Sequence, residues 1–161
     1  MKFSSQEEYG LRCLLQLSRR DSTASMTIPE ISAAEGLSVP YVAKLVRILR
    51  QDGFVKSSRG QSGGYTLTRP PQEIIVGDVL AALGGRIFDS ETCGRYHGTE
   101  DMCTHSIDCS IRSLWQAVQR EVDHVLSKTT LLDLLGSEQE MTTAASNLVQ
   151  ISSIRPMQEA V

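Results

Sequence analysis

Two helical patterns joined at a glycine constrain the fold of this chain more than any other feature. The stretch TIPEISAAEG opens on a Thr27-x-x-Glu30 capping box and ends at Gly36, which suits a left-handed helix terminus. The next stretch, SVPYVAKLVRILRQDG (residues 38–53), repeats apolar residues at i, i+3, i+4 and i+7. A short helix, a tight turn and a second helix are typical of a helix-turn-helix.

The outward side of the second helix is polar and basic. Ser38 stands at its start, and its apolar positions face inward, which leaves Pro40, Tyr41, Lys44 and Arg47 on the solvent side. We therefore predict that it is a recognition helix, which enters the major groove and brings these residues near base edges and phosphates.

A predicted β-hairpin follows directly. The segments FVKSS and GYTLTR have strand composition, and the glycine-rich RGQSG separates them. Gly60 and Gly63 would let the hairpin tip approach a sugar-phosphate backbone, and Arg59 would supply charge. The predicted fold class is mainly α with a small β-hairpin: a winged helix-turn-helix plus a long C-terminal dimerisation helix.

The charge distribution supports contact with a polyanion. The net charge is -3, yet residues 36–69 contain six basic side chains and a single acid, Asp52. Such a segment indicates binding to double-stranded DNA, although a solvated helix face is the alternative. The sequence has neither a membrane-length apolar run nor a signal peptide, so we expect a cytoplasmic protein with reduced thiols. It also lacks a nucleophile–base pattern, a phosphate loop and paired catalytic carboxylates, so we expect no enzyme.

Three cysteines lie close together with the spacing C-x9-C-x5-C, at Cys93, Cys103 and Cys109. In a reducing compartment such a cluster indicates metal binding or redox chemistry. Structural zinc prefers close cysteine pairs, whereas these wide gaps suit a larger group. The residues alone leave open an iron–sulfur cluster, zinc or an uncoordinated thiol switch. Cys13 lies among leucines and is expected to be a buried apolar residue.

The rest of the chain predicts an assembly surface. Residues 110–128 form a helical pattern with one apolar stripe, which a twin helix in a second subunit would cover. Ser5-x-x-Glu8 is interpreted as the capping box of the first helix, and Thr130 as the cap of a last short helix. The predicted parts are a winged helix-turn-helix domain (1–85), a cysteine-rich cluster-binding loop (86–110), a dimerisation helix with a short helix (111–136) and a flexible tail (137–161).

These motifs together resemble a known family. MKFSSQEEYGLRCLLQL, then SVPYVAKLVRILRQDGFVKSSRGQSGGYTL, then a three-cysteine loop before a long helix, is similar to the IscR-like winged-helix regulators, which include the NsrR branch. The resemblance covers about residues 1–135. It implies a homodimeric repressor of palindromic promoter DNA that senses redox, iron or nitric oxide status. It also implies an iron–sulfur cluster on the three loop cysteines, 2Fe-2S as the favoured form and 4Fe-4S as the other.

The sequence departs from the family pattern in its ligand set. Nine residues separate the first two cysteines, more than is usual in the family. The IscR-like histidine three residues after the third cysteine is replaced by Arg112. In the NsrR-like pattern an acid near the start of the first helix of the other subunit serves instead, and Glu8 matches it, although Glu8 also suits a helix cap. His97 and His105 are rival ligands. Alternative functions are a structural zinc-binding interaction protein, or a cluster-free member that senses through thiols or a partner protein.

Overall fold

The computed structural model describes residues 4–20, 24–58, 60, 63–84 and 108–149. Within these ranges the chain is mainly helical and contains one antiparallel hairpin. The α-helices are α1 (Ser5–Ser18), α2 (Ile28–Glu35), α3 (Val39–Gln51), α4 (Val76–Leu83), α5 (Ser110–Leu126) and α6 (Glu138–Leu148). The strands are β1 (Val55–Ser58) and β2 (Gly64–Leu67), and single 3₁₀ turns cover Pro71–Glu73 and Asp133–Leu135.

Helices α2 and α3 form the predicted helix-turn-helix. The Thr27 and Glu30 capping box opens α2, and Gly36 ends it in the left-handed conformation at a φ of 65°. Helix α3 follows Ser38, whose side chain makes no capping hydrogen bond. Its inward positions are buried as the apolar spacing predicted, at Val42, Leu45, Val46 and Leu49.

The hairpin is fixed to the residues that lead into α2. Strands β1 and β2 pair from Val55 opposite Leu67 to Ser58 opposite Gly64. Tyr65 also exchanges two backbone hydrogen bonds with Met26, at 2.7 and 3.0 Å. The hairpin is thereby tied to the helix-turn-helix through the backbone, which confirms the predicted winged helix.

One hydrophobic core joins these elements. Helix α1 packs on α3 and α4, and the hairpin packs on α1 and α3. The segment after α5 returns to this core, because the Leu131 N–H donates to the Ile74 carbonyl at 2.8 Å and the Leu131 side chain is fully buried. The C-terminal end of α5 is therefore anchored to the winged helix. None of the described helices has the length and apolarity that crossing a bilayer requires.

The cap of α1 lies one residue earlier than we predicted. Ser4, not Ser5, is the N-cap, and its hydroxyl oxygen accepts from the Glu7 N–H. The Glu7 carboxylate in turn accepts from the Ser4 N–H at 2.7 Å. The prediction that Glu8 is the capping acid was wrong, because Glu7 and Glu8 are adjacent and the chain enters the helix one residue sooner.

The region predicted to be a flexible tail contains a helix. Residues 138–148 are α-helical, and Ser137 and Glu140 form another capping box that opens α6. Its spacing, Ser-x-x-Glu, was readable in the sequence, but the segment has few large apolar residues and so lacks a helical stripe. The prediction that Thr130 caps a short helix was wrong, because the following element is a 3₁₀ turn whose N-cap is Leu132. Thr130 instead donates its N–H to the Asp133 carboxylate at 2.8 Å.

Candidate functional site

The solvent side of α3 carries an exposed, positively charged row. Pro40, Lys44 and Arg47 are all exposed, while the opposite side of the helix is buried. Within the described part of the chain, both ion pairs are made by Arg12, so Lys44 and Arg47 have no acidic partner there. Their charges are available to phosphate groups, which attract lysine and arginine in every DNA-binding protein.

Tyr41 differs from its predicted position. It is half-buried and packs against the core, with its ring edge-on to Tyr9 of α1 at a centroid distance of 6.1 Å. Tyr41 lies in the first turn of α3, and its contact with Tyr9 shows that this part of α3 faces α1. The Tyr41 side chain therefore points partly inward. Val39, at the start of α3, is 46% exposed and was missed by the sequence reasoning. An exposed apolar side chain at this end of a recognition helix can contact a thymine methyl group.

The wing tip has the backbone that its glycines predict. Gly60 has a φ of 115°, a region that L-residues rarely adopt, and its carbonyl accepts from the Gly63 N–H at 2.9 Å. A Cβ on Gly63 would lie 2.8 Å from the Ser58 and Gly60 carbonyl oxygens, so only glycine fits there. Arg59 lies outside the described residues.

Only the last of the three loop cysteines falls within the described residues. Cys109 is a free thiol at the N-cap of α5, half-buried, and its Sγ accepts from the Arg112 N–H at 3.4 Å. Cys93, Cys103, His97 and His105 lie outside the described residues. Among those described, no group of three or more metal-ligating side chains occurs.

Cys13 is unsuited to ligation. Its side chain is fully buried in α1, and burial, together with the nearby charge of Glu35, raises the pKa of its thiol to about 12. The thiolate is the form that binds metals, so Cys13 remains protonated and inert near neutral pH. Its prediction as a buried apolar residue is confirmed.

Glu8 is exposed and paired with Arg12. The two side chains lie one helical turn apart on α1, and Glu8 Oε1 is 2.7 Å from the Arg12 guanidinium. Arg12 also lies over the Tyr9 ring, 5.6 Å from its centroid, and 4.0 Å from the Glu35 carboxylate of α2. Sequence reasoning missed Arg12, although the spacing Glu8-x-x-x-Arg12 is the signal of such a pair.

Comparison with known proteins identifies the family. A family model described as "Rrf2: Iron-dependent Transcriptional regulator" matches residues 3–137. The chain belongs to the Rrf2 family. Rrf2 proteins are DNA-binding transcriptional regulators and not enzymes.

Individual Rrf2 relatives are similar over most of the chain. The CymR regulator of Bacillus subtilis is 34% identical over 83% of this chain and 89% of its own. Protein rrf2 of Nitratidesulfovibrio vulgaris is 32% identical over 84% of this chain and 87% of its own. The solved structure of T. potens IscR is 32% identical, has a TM-score of 0.66, and is covered over 86% of its length by 84% of this chain.

Proposed function

We propose that this Rrf2 protein is a homodimeric transcriptional repressor whose affinity for promoter DNA is set by an iron–sulfur cluster. Cys93, Cys103 and Cys109 would hold the cluster, 2Fe-2S in the favoured form, and Glu8 of the partner subunit would complete the site. When bound, the cluster supplies a centre that responds to redox change, iron supply or nitric oxide. The protein would act in the cytoplasm, where promoter DNA is found.

The observation that carries this proposal is the position of Cys109. Cys109 is the N-cap of α5, and the other end of this helix is anchored to the winged-helix core through Leu131. A helix N-terminus favours negative charge, and the Arg112 N–H already points at the sulfur, so the position suits a thiolate ligand. The iron dependence in the family description agrees with this chemistry.

Glu8 is a suitable fourth ligand because nothing in α1 requires it. Glu7 satisfies the helix cap, and Glu8 is about half exposed on the surface of α1. An exposed ion pair such as Glu8–Arg12 contributes only about 0–1 kcal/mol, so the carboxylate can exchange partners at low cost. Protein carboxylates are hard ligands for iron, which suits a site that must be labile.

Arg12 offers a connection from Glu8 to the DNA-binding helices. Its guanidinium contacts Glu8, faces Glu35 of α2 and lies over Tyr9, whose ring in turn touches Tyr41 of α3. A change in the pairing of Glu8 therefore alters the charge balance at Arg12, which contacts α2 directly and α3 only through the Tyr9 ring. We expect Arg12→Gln to uncouple DNA affinity from the state of the loop.

The proposal is tested by purifying the full chain without oxygen and analysing iron, sulfide and zinc. The wild-type protein and Cys13→Ala should absorb visible light, whereas Cys93→Ala, Cys103→Ala and Cys109→Ala should not. Stoichiometric zinc without sulfide would replace the cluster with a structural zinc site. Protein without any metal that still binds DNA would favour a thiol- or partner-sensing regulator. The similar solved structure of B. subtilis CymR is described as a global cysteine regulator, which makes that second outcome a specific alternative.

Adjacent glutamates of α1 provide a matched test of the fourth ligand. Glu8→Ala should shift the visible spectrum and speed loss of the cluster in air, and should barely change stability. Glu7→Ala removes the capping box, so it should cost about 1 kcal/mol of unfolding free energy and leave the spectrum unchanged. A normal spectrum in Glu8→Ala would exclude Glu8 and leave His97 or His105 as the ligand.

A further inference from the structure

A cleft of about 480 Å³ lies between the end of α1, the outer side of the hairpin and the turn that follows it. Its walls are formed by Leu17, Ser18, Arg20, Ala24, Lys56, Thr66, Leu67, Thr68, Arg69, Pro70 and Pro71. Its described lining includes no residue of the recognition helix and no cysteine. Its volume falls in the range of about 300–1,000 Å³ that is usual for small-molecule sites.

The lining of the cleft combines apolar surface with positive charge. Leu17, which is 5% exposed, and the half-buried Leu67 supply apolar walls, while Arg20, Lys56 and Arg69 supply three cations. Among the described residues that line the cleft there is no aspartate or glutamate. Among the described residues, none of the three cations has an ion pair within 4.0 Å.

The cations are held on separate elements that converge on the cleft. Lys56 and Thr66 are direct cross-strand partners of β1 and β2. Arg69 follows β2, and its guanidinium lies 5.8 Å from the centroid of the Phe54 ring, a stacked position that limits its movement. Arg20 follows α1.

Glu30 is an acid whose carboxylate is affected by the charge of Arg20, but the two side chains do not form an ion pair within 4.0 Å. The Ser18 hydroxyl donates to the Leu14 carbonyl at 2.7 Å, so it is oriented by its own helix. The pKa of Glu30 is lowered mainly by hydrogen bonds from Thr27 and only in smaller part by the charge of Arg20. The described lining of the cleft therefore carries positive charge next to an apolar surface.

We propose that this cleft binds a small organic acid, a carboxylate with an apolar body. An inorganic anion would leave the apolar wall unfilled, and a neutral apolar molecule would gain nothing from the cations. Guanidinium groups pair with carboxylates through two parallel hydrogen bonds, which suits Arg20 or Arg69.

Occupancy of the cleft would affect DNA binding through the wing. The ligand would contact α1 through Leu17 and Arg20 and the hairpin through Lys56 and Leu67, and so would hold the wing in one position relative to α1. A ligand shifts an equilibrium when it binds one arrangement better than another. Ligand binding in the cleft would thus be a second signal for DNA affinity, separate from the cysteine loop.

The test is a titration of ¹⁵N-labelled full-length protein, followed by amide chemical shifts, with benzoate, phenylacetate and hexanoate as probes and inorganic phosphate as the simple anion. At least one carboxylate should cause saturable shifts at Thr66, Leu67 and Thr68. Arg20→Gln and Lys56→Gln should each weaken that binding about tenfold. Arg19→Gln is the matched control, because Arg19 is the exposed neighbour of Arg20 and does not line the cleft.

Several outcomes would overturn the proposal. Binding of no carboxylate, or equal binding to all three variants, would show that the cleft is no ligand site. Phosphate binding as tight as that of the best carboxylate would mean that the apolar wall contributes nothing. A loss of DNA affinity in Arg20→Gln and Lys56→Gln without any carboxylate shift would assign these cations to the DNA backbone instead.

Discussion

Trp115 of α5 offers the sharpest test of the proposed homodimer. The N-terminal half of α5 presents large apolar side chains to solvent: Ile111 is 64% exposed, Leu114 58% and Trp115 44%. Exposed apolar residues that cluster on one face of a helix mark an interaction surface, whereas scattered ones do not. We expect Trp115→Ala to weaken the dimer strongly.

The magnitude follows from the exposed area. An aromatic side chain can bury roughly 150–250 Å², so a 44% exposed tryptophan has on the order of 70–110 Å² left to bury. At about 25 cal/mol per Å² this corresponds to about 2–3 kcal/mol per protomer, and a twofold interface counts it twice. Alanine retains part of this area, so we expect a loss of about 2–4 kcal/mol, which is about a 30- to 1,000-fold rise in the dimer Kd.

Sedimentation velocity over a dilution series measures this dimer Kd directly. Arg120→Ala is the control, because residue 120 lies half a turn away from the apolar stripe on the same helix, with 3.6 residues per turn. Trp115 is the single tryptophan of the chain, so its fluorescence in the wild-type protein should shift to longer wavelength as the dimer dissociates. A Kd for Trp115→Ala equal to that of Arg120→Ala would refute the reasoning and mean that the stripe packs within its own subunit.

Three further perturbations follow from the geometry. Gly10→Ala should lower the urea midpoint of unfolding, because the new Cβ would lie 2.4 Å from a methyl carbon of the buried Leu83. Overpacking costs about 1–3 kcal/mol, whereas the better helix propensity of alanine contributes only about 1 kcal/mol. A raised midpoint would contradict this packing. The thiol pKa of Cys13 is raised from 9.0 to about 12 in the folded chain, so the unfolded chain loses this proton at a lower pH. The free energy of unfolding should therefore fall by about 1.4 kcal/mol per pH unit as the pH rises from 9.0 toward about 12. Urea titrations of Cys13→Ala should lack that slope. Lys44→Ala and Arg47→Ala should each weaken binding to operator DNA selected from random duplexes. Each should also reduce the slope of log K against log salt by about one. Slopes equal to that of the wild-type protein would remove both residues from the interface.

The winged helix was predictable because its signals are local and agree with one another. The apolar spacing of α3, the capping box of α2 and the glycine at its end each specify the same boundaries. The attachment of the hairpin to the segment before α2 could not be predicted, since it depends on the bridge between Met26 and Tyr65, which are far apart in the sequence. The existence of the hairpin, by contrast, followed from composition alone.

Features that depend on a single residue of register or on long-range packing were not predictable. Adjacent serines and adjacent glutamates at the start of α1 allow two capping boxes, and only the approach of the chain to the helix selects Ser4 with Glu7. Tyr41 lies on the polar side of the α3 pattern, yet the position of Tyr9 on α1 draws its ring inward. The cleft beside the wing escaped notice because its cations come from three separate segments.

Helix α5 explains why a regulator of this kind would place its third cysteine at a helix start. Cys109 is the N-cap, the exposed apolar residues occupy the first turns, and Thr129 and Leu131 follow the C-terminal end. There the Thr129 carbonyl accepts from the Val76 N–H at 2.9 Å, and Leu131 is buried in the winged-helix core. A helix is stiff over this length, so a displacement of Cys109 cannot be absorbed within α5. We therefore expect a change in the loop to alter the proposed dimer face together with the contact between the end of α5 and the winged-helix core. The spacing of the two recognition helices would change as a consequence.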